Sequence, residues 1–388
     1  MRGGVCLKVV GVCAAILVAG MSDAASTDRP VVESVHYTSA ADYTRVVIAL
    51  SEKTAHRLFT VPADPGQNLP PRIVVDFSPA QRGAGAPLSL PIHNGLLTRV
   101  RTGQFSPTVT RVVLDVEQLD NYEVFVLQSP YRVVIDVTGK QTRETSLAPE
   151  AVSSSRYTIM LDPGHGGHDP GALGVNGVQE KDVVLAISQR LGRKLAARLP
   201  VDVLFTRTTD VFVPLEERIA RANAAKADLF ISIHANASTN PELQGVETYY
   251  LNNTNDRATI RLAALENGVP QKSYNGAKGE KSLSYLLSDL IQTGKEEDSI
   301  ALAHALQEAI VMRARERYPT VQSLGVKKGP FYVLVGAHMP CVLVETAFLT
   351  HPIEGKYLVS AAYQEALAEG LFLGIARFLR AERAAESL

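Results

Sequence analysis

The chain has 388 residues, 20% of them charged and 46% hydrophobic, with a formal net charge of −1. That balance belongs to folded globular protein, so wholesale disorder, collagen and coiled coil are excluded, and nothing supports a nucleic-acid binder that works by neutralising phosphates. At about 100–200 residues per domain the length predicts two domains, each large enough to bury its own core.

The first residues read as a secretory signal peptide over 1–24. Arg2 and Lys8 make a basic start, Val9 to Ala19 is apolar, and Ser22-Asp23-Ala24 offers a cleavage site. The apolar run is shorter than the ~20 residues of a spanning helix, so membrane contact is expected only before cleavage. Cys6 and Cys13 leave with this segment. Cys341 then stands alone in the apolar run Cys341-Val342-Leu343-Val344, read as a buried structural thiol with no disulfide partner.

An internal repeat follows. Thr44-Arg45-Val46-Val47-Ile48-Ala49-Leu50 recurs as Thr110-Arg111-Val112-Val113-Leu114-Asp115-Val116, and Arg72-Ile73-Val74-Val75-Asp76-Phe77 recurs as Arg132-Val133-Val134-Ile135-Asp136-Val137. These β-branched segments between turn formers predict strands, so residues 31–139 are expected to form a small duplicated all-β domain. No cluster of acids, histidines or cysteines occupies matched places in both copies, which points to binding or targeting rather than catalysis. A Thr-, Ser- and Pro-rich linker spans 140–155.

From Tyr157 strands alternate with helices, predicting an α/β domain over 156–381, a mixed sheet flanked by helices. Strands are expected at Tyr157–Leu161, Val201–Phe205, Leu229–Ile233, Val246–Leu251, Phe331–Val335 and Cys341–Val344. Helices are expected at Lys181–Leu199, Leu215–Ala225 and Ala361–Arg380. A helical insertion begins near 252 and runs to about 300. In it, Leu283, Leu286, Leu287, Leu290 and Ile291 share one helix face.

Three segments of this domain place polar residues at strand ends or helix starts: Asp162-Pro163-Gly164-His165-Gly166-Gly167-His168-Asp169, Gln179-Glu180-Lys181-Asp182 and Ser232-Ile233-His234-Ala235-Asn236. Two histidines and a glutamate make a three-ligand set that leaves a fourth position for water, the catalytic form of a zinc site. Val344-Glu345-Thr346 supplies a carboxylate at the end of an apolar strand, suited to take the water's proton. His168 is a rival ligand in the same loop as His165, and the spacing alone does not choose between them. Nothing resembles a phosphate loop.

The segments LDPGHGGHDPGA, QEKD, SIHANA and VETAFLT, with LFTRTTDVFVPLEERIARAN between them, resemble the zinc-dependent N-acetylmuramoyl-L-alanine amidases from Tyr157 to Arg380. TRVRTGQFSPTVTRVVLDV resembles the AMIN domain that precedes such enzymes and binds the cell wall. The resemblance implies one zinc ion held by His165, Glu180 and His234, Glu345 as the catalytic glutamate, and peptidoglycan as substrate. It implies a periplasmic, septal enzyme of daughter-cell separation. It also implies that the helical insertion blocks the zinc until a LytM-domain activator displaces it, with Glu266 as the candidate blocking ligand. Two other readings of the same residues are a wall-binding scaffold with an inactive catalytic domain and a zinc peptidase that cuts within the stem peptide.

Overall fold

Short β-branched stretches alternating inward apolar and outward polar residues build the first half of the protein. The structure, a computed structural model, describes residues 29–386 apart from 41, 68, 118–120, 129, 140–155 and 270–294. The strands are β1 (Val31–Ser39), β2 (Tyr43–Leu50), β3 (Ala55–Val61), β4 (Arg72–Ser78), β5 (Gln81–Arg82), β6 (Ser89–Pro91), β7 (Leu97–Ser106), β8 (Val109–Val116), β9 (Asn121–Leu127) and β10 (Tyr131–Thr138). They form two sheets, ordered β5-β1-β2-β10-β9 and β3-β4-β8-β7-β6. Val46, Ile48, Val112, Leu114, Val133 and Ile135 face inward and share one core. The two copies of the repeat interlock, because β2 pairs with β10 of the other copy and β4 pairs with β8. Neither copy keeps a sheet to itself, so each buries its apolar face only in company with the other.

The second half contains β11 (Tyr157–Pro163), α1 (Glu180–Arg198), β12 (Val201–Phe205), α2 (Leu215–Ala224), β13 (Leu229–Asn236), β14 (Val246–Leu251), α3 (Arg257–Glu266), α4 (Glu296–Arg315), β15 (Ser323–Gly329), β16 (Cys341–Phe348), α5 (Glu354–Leu358) and α6 (Ala361–Glu386). The sheet order is β12-β11-β13-β16-β14-β15. The first four are mutually parallel, and β14 runs against β16. Val184, Ile187 and Leu191 of α1 pack on one face with Leu302 and Leu306 of α4 and Leu371 and Ile375 of α6. Ile219 of α2 and Ala263 of α3 pack on the other with Phe230 and Leu343. The expected mixed sheet flanked by helices is therefore present, with a β domain in front of it.

Two local expectations need correction. Phe331–Val335 is not a strand: Tyr332–Leu334 forms a single 3₁₀ turn, buried on all sides rather than alternating. β15 went unforeseen because Gly325, Lys327 and Lys328 mask strand propensity, which is usual at a sheet edge. The amphipathic face around Leu283–Ile291, the residues read as a signal peptide and the linker lie outside the described residues. Among the described residues no helix is long and apolar enough to cross a membrane. Cys341 is buried and free.

The two domains meet along the outer face of the first sheet. Val47, Phe125, Leu127 and Val134 pack against Ile260 of α3 and against Tyr332 and Val335. Arg132 pairs with Glu216 at the start of α2, and the backbone N–H of Gln128 donates to the hydroxyl of Tyr332 at 3.3 Å.

Candidate active site

The carboxyl ends of parallel strands are where α/β sheets form their sites, and β11 and β13 deliver a histidine each. His165 follows β11 with a left-handed φ of 57°. Its carbonyl accepts a 2.8 Å hydrogen bond from Nη2 of Arg218, which also donates to the Pro163 carbonyl and to Asp162 Oδ1, both at 2.8 Å. The fully buried Asp162 further accepts the hydroxyls of Thr206 and Ser232. One buried ion pair thus ties the ends of β11 and β13 to α2 and holds the His165 turn in a conformation that costs a non-glycine residue energy.

The imidazole of His165 is oriented from behind. Its Nδ1 lies 2.8 Å from Asp169 Oδ2. An ionised carboxylate only accepts, so Nδ1 donates to Asp169 and Nε2 is left to face the site. His234 presents Nδ1 instead. Its ring lies so close to Gly164 that a Cβ there would stand 2.4 Å from Cε1, so only glycine fits. Glu180 opens α1, where the helix dipole favours a carboxylate. The backbone N–H groups of Ala172 and Ala235 donate to its two oxygens at 2.8 and 3.0 Å.

These elements bring His165, Glu180, His234 and Glu266 together, with one donor atom of each within 4.8 Å of all the others. His165 Nε2 stands 3.1 Å from Glu180 Oε2 and 3.3 Å from Glu266 Oε2. His234 Nδ1 stands 3.0 Å from Glu180 Oε1 and 3.0 Å from Glu266 Oε2. His165 Nε2 and Glu266 Oε2 are buried without a well-formed hydrogen bond. Two imidazoles converging with two carboxylates on one point are a donor set for a divalent transition metal, and the orphaned nitrogen and oxygen fit that reading.

The electrostatics favour positive charge at this point. Burial draws His234 down, but Glu266 and Glu180 outweigh it and push it up to about 10. His165 is raised far above its ordinary value against the same burial, by Glu180 and Glu266. Burial would raise Glu180, yet the two histidines hold it well below the usual carboxylate range.

Glu345 is not one of the four. It lies in β16 in register with His234 of β13, fully buried, and among the described residues neither of its oxygens has a hydrogen-bond partner. Burial pushes its carboxyl well above the ordinary value; His234 offsets this in part, and Glu266, Glu180 and Glu247 add to it. A carboxyl poised in this way binds a proton strongly when ionised. His168 is also outside the cluster; its ring lies 4.2 Å from that of Phe212. A cavity of about 310 Å³ opens beside His165, His234 and Glu266, walled by Phe212, Val213 and Pro214 and reached by Pro130 and Arg132 of the β domain.

Two contributors escaped sequence reasoning. Asp169 sits inside a segment already singled out, four residues after His165, and that spacing could have marked it. Arg218 had no such signal, because an arginine in an amphipathic helix ordinarily reads as exposed.

Both halves of the chain are similar to known proteins. The family model for N-acetylmuramoyl-L-alanine amidase matches residues 159–377, and that for the AMIN domain matches 62–126. The chain is 30% identical to the N-acetylmuramoyl-L-alanine amidase AmiC of Neisseria meningitidis serogroup B, over 92% of this chain and 94% of the relative. It is 27% identical to the AmiC of Escherichia coli O6:H1, over 89% and 88%. Among solved structures, the N-acetylmuramoyl-L-alanine amidase from Clostridium difficile 630 aligns with 30% identity and a TM-score of 0.45, covering 58% of this chain and 98% of that one.

Proposed function

Because this chain belongs to the N-acetylmuramoyl-L-alanine amidase family and so hydrolyses the amide between N-acetylmuramic acid and L-alanine in peptidoglycan, we propose that His165, Glu180 and His234 hold one zinc ion for this reaction and that Glu345 moves its protons. The observation that carries the reading is the convergence of His165, Glu180 and His234, from three separate stretches of the chain, within 4.8 Å of one another and of Glu266. Zinc bound there would supply Lewis acidity, polarising a carbonyl and bringing the pKa of a water to about 7.

The remaining work falls to side chains. Glu345 accepts the proton of the attacking water and passes it to the departing nitrogen, so that the C–N bond breaks to a free L-alanine amine and a muramic carboxylate. Asp169 keeps the His165 proton on Nδ1, and Arg218 with Asp162 keeps the turn that presents the ring. Glu266, at the end of α3, takes the position that substrate needs, so this conformation is closed. A partner of the LytM-domain class is the proposed agent that withdraws α3. The enzyme acts in the periplasm, where its substrate lies, and at the septum during separation of daughter cells.

The test is release of stem peptide from purified sacculi. Glu345→Gln is expected to retain stoichiometric zinc and lose about 10²–10⁴-fold in rate; wild-type release by zinc-loaded Glu345→Gln would refute the assignment. Glu266→Gln is expected to raise basal release at unchanged zinc content, and an unchanged rate would remove the block. It is a cleaner probe than deleting residues 256–292, which would also strip Ile260 and Ala263 from two packed clusters.

A further inference from the structure

We propose that His168 and Phe212 form the platform on which the muramic-acid ring of the substrate lies. The inference rests on the reaction taking place at the His165–Glu180–His234 cluster. His168 follows His165 by three residues but is not among the four clustered residues. Its exposed ring meets that of Phe212 at 4.2 Å between centroids and 41° between planes. Phe212 is 43% exposed and walls the same cavity as His165 and His234. A large aromatic side chain left open beside a reactive centre, in contact with a second ring, is poorly explained by packing and well explained by a ligand.

The surrounding backbone is built to hold the two rings together. A Cβ on Gly166 would stand 2.2 Å from the carbonyl oxygen of Val211, so the two loops approach as closely as only glycine permits. The N–H of Gly167 donates to Asp210 Oδ1 at 2.7 Å. Lys181 Nζ donates to the Gly167 carbonyl at 2.8 Å and to Asp210 Oδ2 at 2.7 Å, stapling both loops to α1. The platform is therefore preformed rather than assembled by the ligand.

Substrate chemistry says which half lies there. Carbon 3 of muramic acid joins the scissile carbonyl through an ether oxygen and one carbon, and three bonds span about 4 Å. Wherever the carbonyl is attacked, the sugar must lie against the adjoining wall. Its axial C–H groups form a weakly positive apolar face that suits the negative face of an aromatic ring, and the ring nitrogens of His168 can meet its hydroxyls. The first stem residues carry methyl groups and carboxylates, which gain little from such a surface.

The experiment compares two substrates of the full-length zinc enzyme: a disaccharide tetrapeptide from peptidoglycan, and a sugar-free lactoyl tetrapeptide with the same scissile amide. Phe212→Ala is expected to lower kcat/KM on the first by roughly tenfold or more, as loss of a stacking ring does elsewhere, and to leave the second within about twofold. His168→Ala should act in the same direction more weakly, and Phe212→Tyr should restore the wild-type ratio. Saturation-transfer NMR of the free disaccharide with chelator-treated full-length protein gives a second readout, independent of where the chemistry occurs. Sugar ring protons should receive saturation from wild type and not from Phe212→Ala. Equal loss on both substrates, no loss on either, or saturation transfer undiminished by Phe212→Ala would overturn the platform. If instead saturation transfer behaves as expected while Glu345→Gln stays fully active, the platform stands and the proton-transfer assignment falls.

Discussion

In one sheet of the β domain Arg45 stands opposite Asp136, with its guanidinium 5.8 Å from the ring centre of Phe125. In the other sheet Arg111 stands opposite Asp76, 5.7 Å from the ring of Phe59. Duplication has written the same arginine, aspartate and phenylalanine onto two outer faces. The side chains of the first pair are 3% and 1% exposed, those of the second 27% and 18%. The catalytic domain makes the difference. It covers the first face with Ile260, Tyr332 and Val335 and offers Arg45 the carbonyls of Glu216 and Gly336. The two faces share Val47 with Val113, Val134 with Val74 and Arg132 with Arg72 at matched places, and differ where the free face carries Arg57, Arg99 and Arg101 and the covered face Glu123, Ser34 and His36. The apolar centre is common to both, and the three added arginines set the open face apart from the docked one. The ion pair they share decided neither outcome.

This comparison can be tested by breaking each pair. Asp136→Ala leaves Arg45 charged, buried and unpaired and is expected to cost about 3–5 kcal/mol of stability. Asp76→Ala, the matching change on the open face, should cost about 1 kcal/mol or less. Chemical denaturation of the two variants checks the contrast, and equal losses would mean that burial by the catalytic domain adds nothing to the first pair.

A smaller effect is expected from Val47→Asp, which places a charge in the apolar seam without touching the ion pair. Loss of one buried valine removes roughly 1.5–3 kcal/mol from docking. Faster amide exchange should then appear in β2, β10 and α3, since Ile260 shares that seam. Val113→Asp at the equivalent place on the open face should leave the exchange of α3 unchanged. Slow exchange in α3 of Val47→Asp would show that the helix is held by the catalytic domain alone.

The mildest probe is acid. Burial would raise Glu216, but His36, 3.8 Å away, and the charge of Arg132 hold it below its ordinary value of 4.5. Its contribution to docking is therefore complete above about pH 4.5 and is lost as pH falls through the lowered folded value. Exchange in β10 should accelerate over that interval, and Glu216→Gln should flatten the response. A Glu216→Gln protein with an unaltered acid profile would assign the sensitivity to another group.

Local pattern made much of this legible. The repeat, the switch from strand to helix period and the motifs around His165, Glu180, His234 and Glu345 can all be read without coordinates. Edge strand β15 was hidden by lysines and glycine, and Phe331–Val335 looked like a strand because its apolar run ignores which neighbours bury it. Spacing alone left His165 and His168 as rivals and only the family resemblance chose His165, since two histidines on one glycine-rich loop differ only in where the loop points them.

By itself the sequence determined which residue types stand at which points of which element, because strand and helix periods are properties of a few neighbouring residues. Only the tertiary structure decided that strands would be exchanged between the two copies, that Glu266 would close on the two histidines and Glu180, and that Arg45 rather than Arg111 would be buried. Each of those outcomes depends on surfaces more than thirty residues apart meeting in space. A side chain's local period fixes the face it shows, and only packing fixes what that face meets.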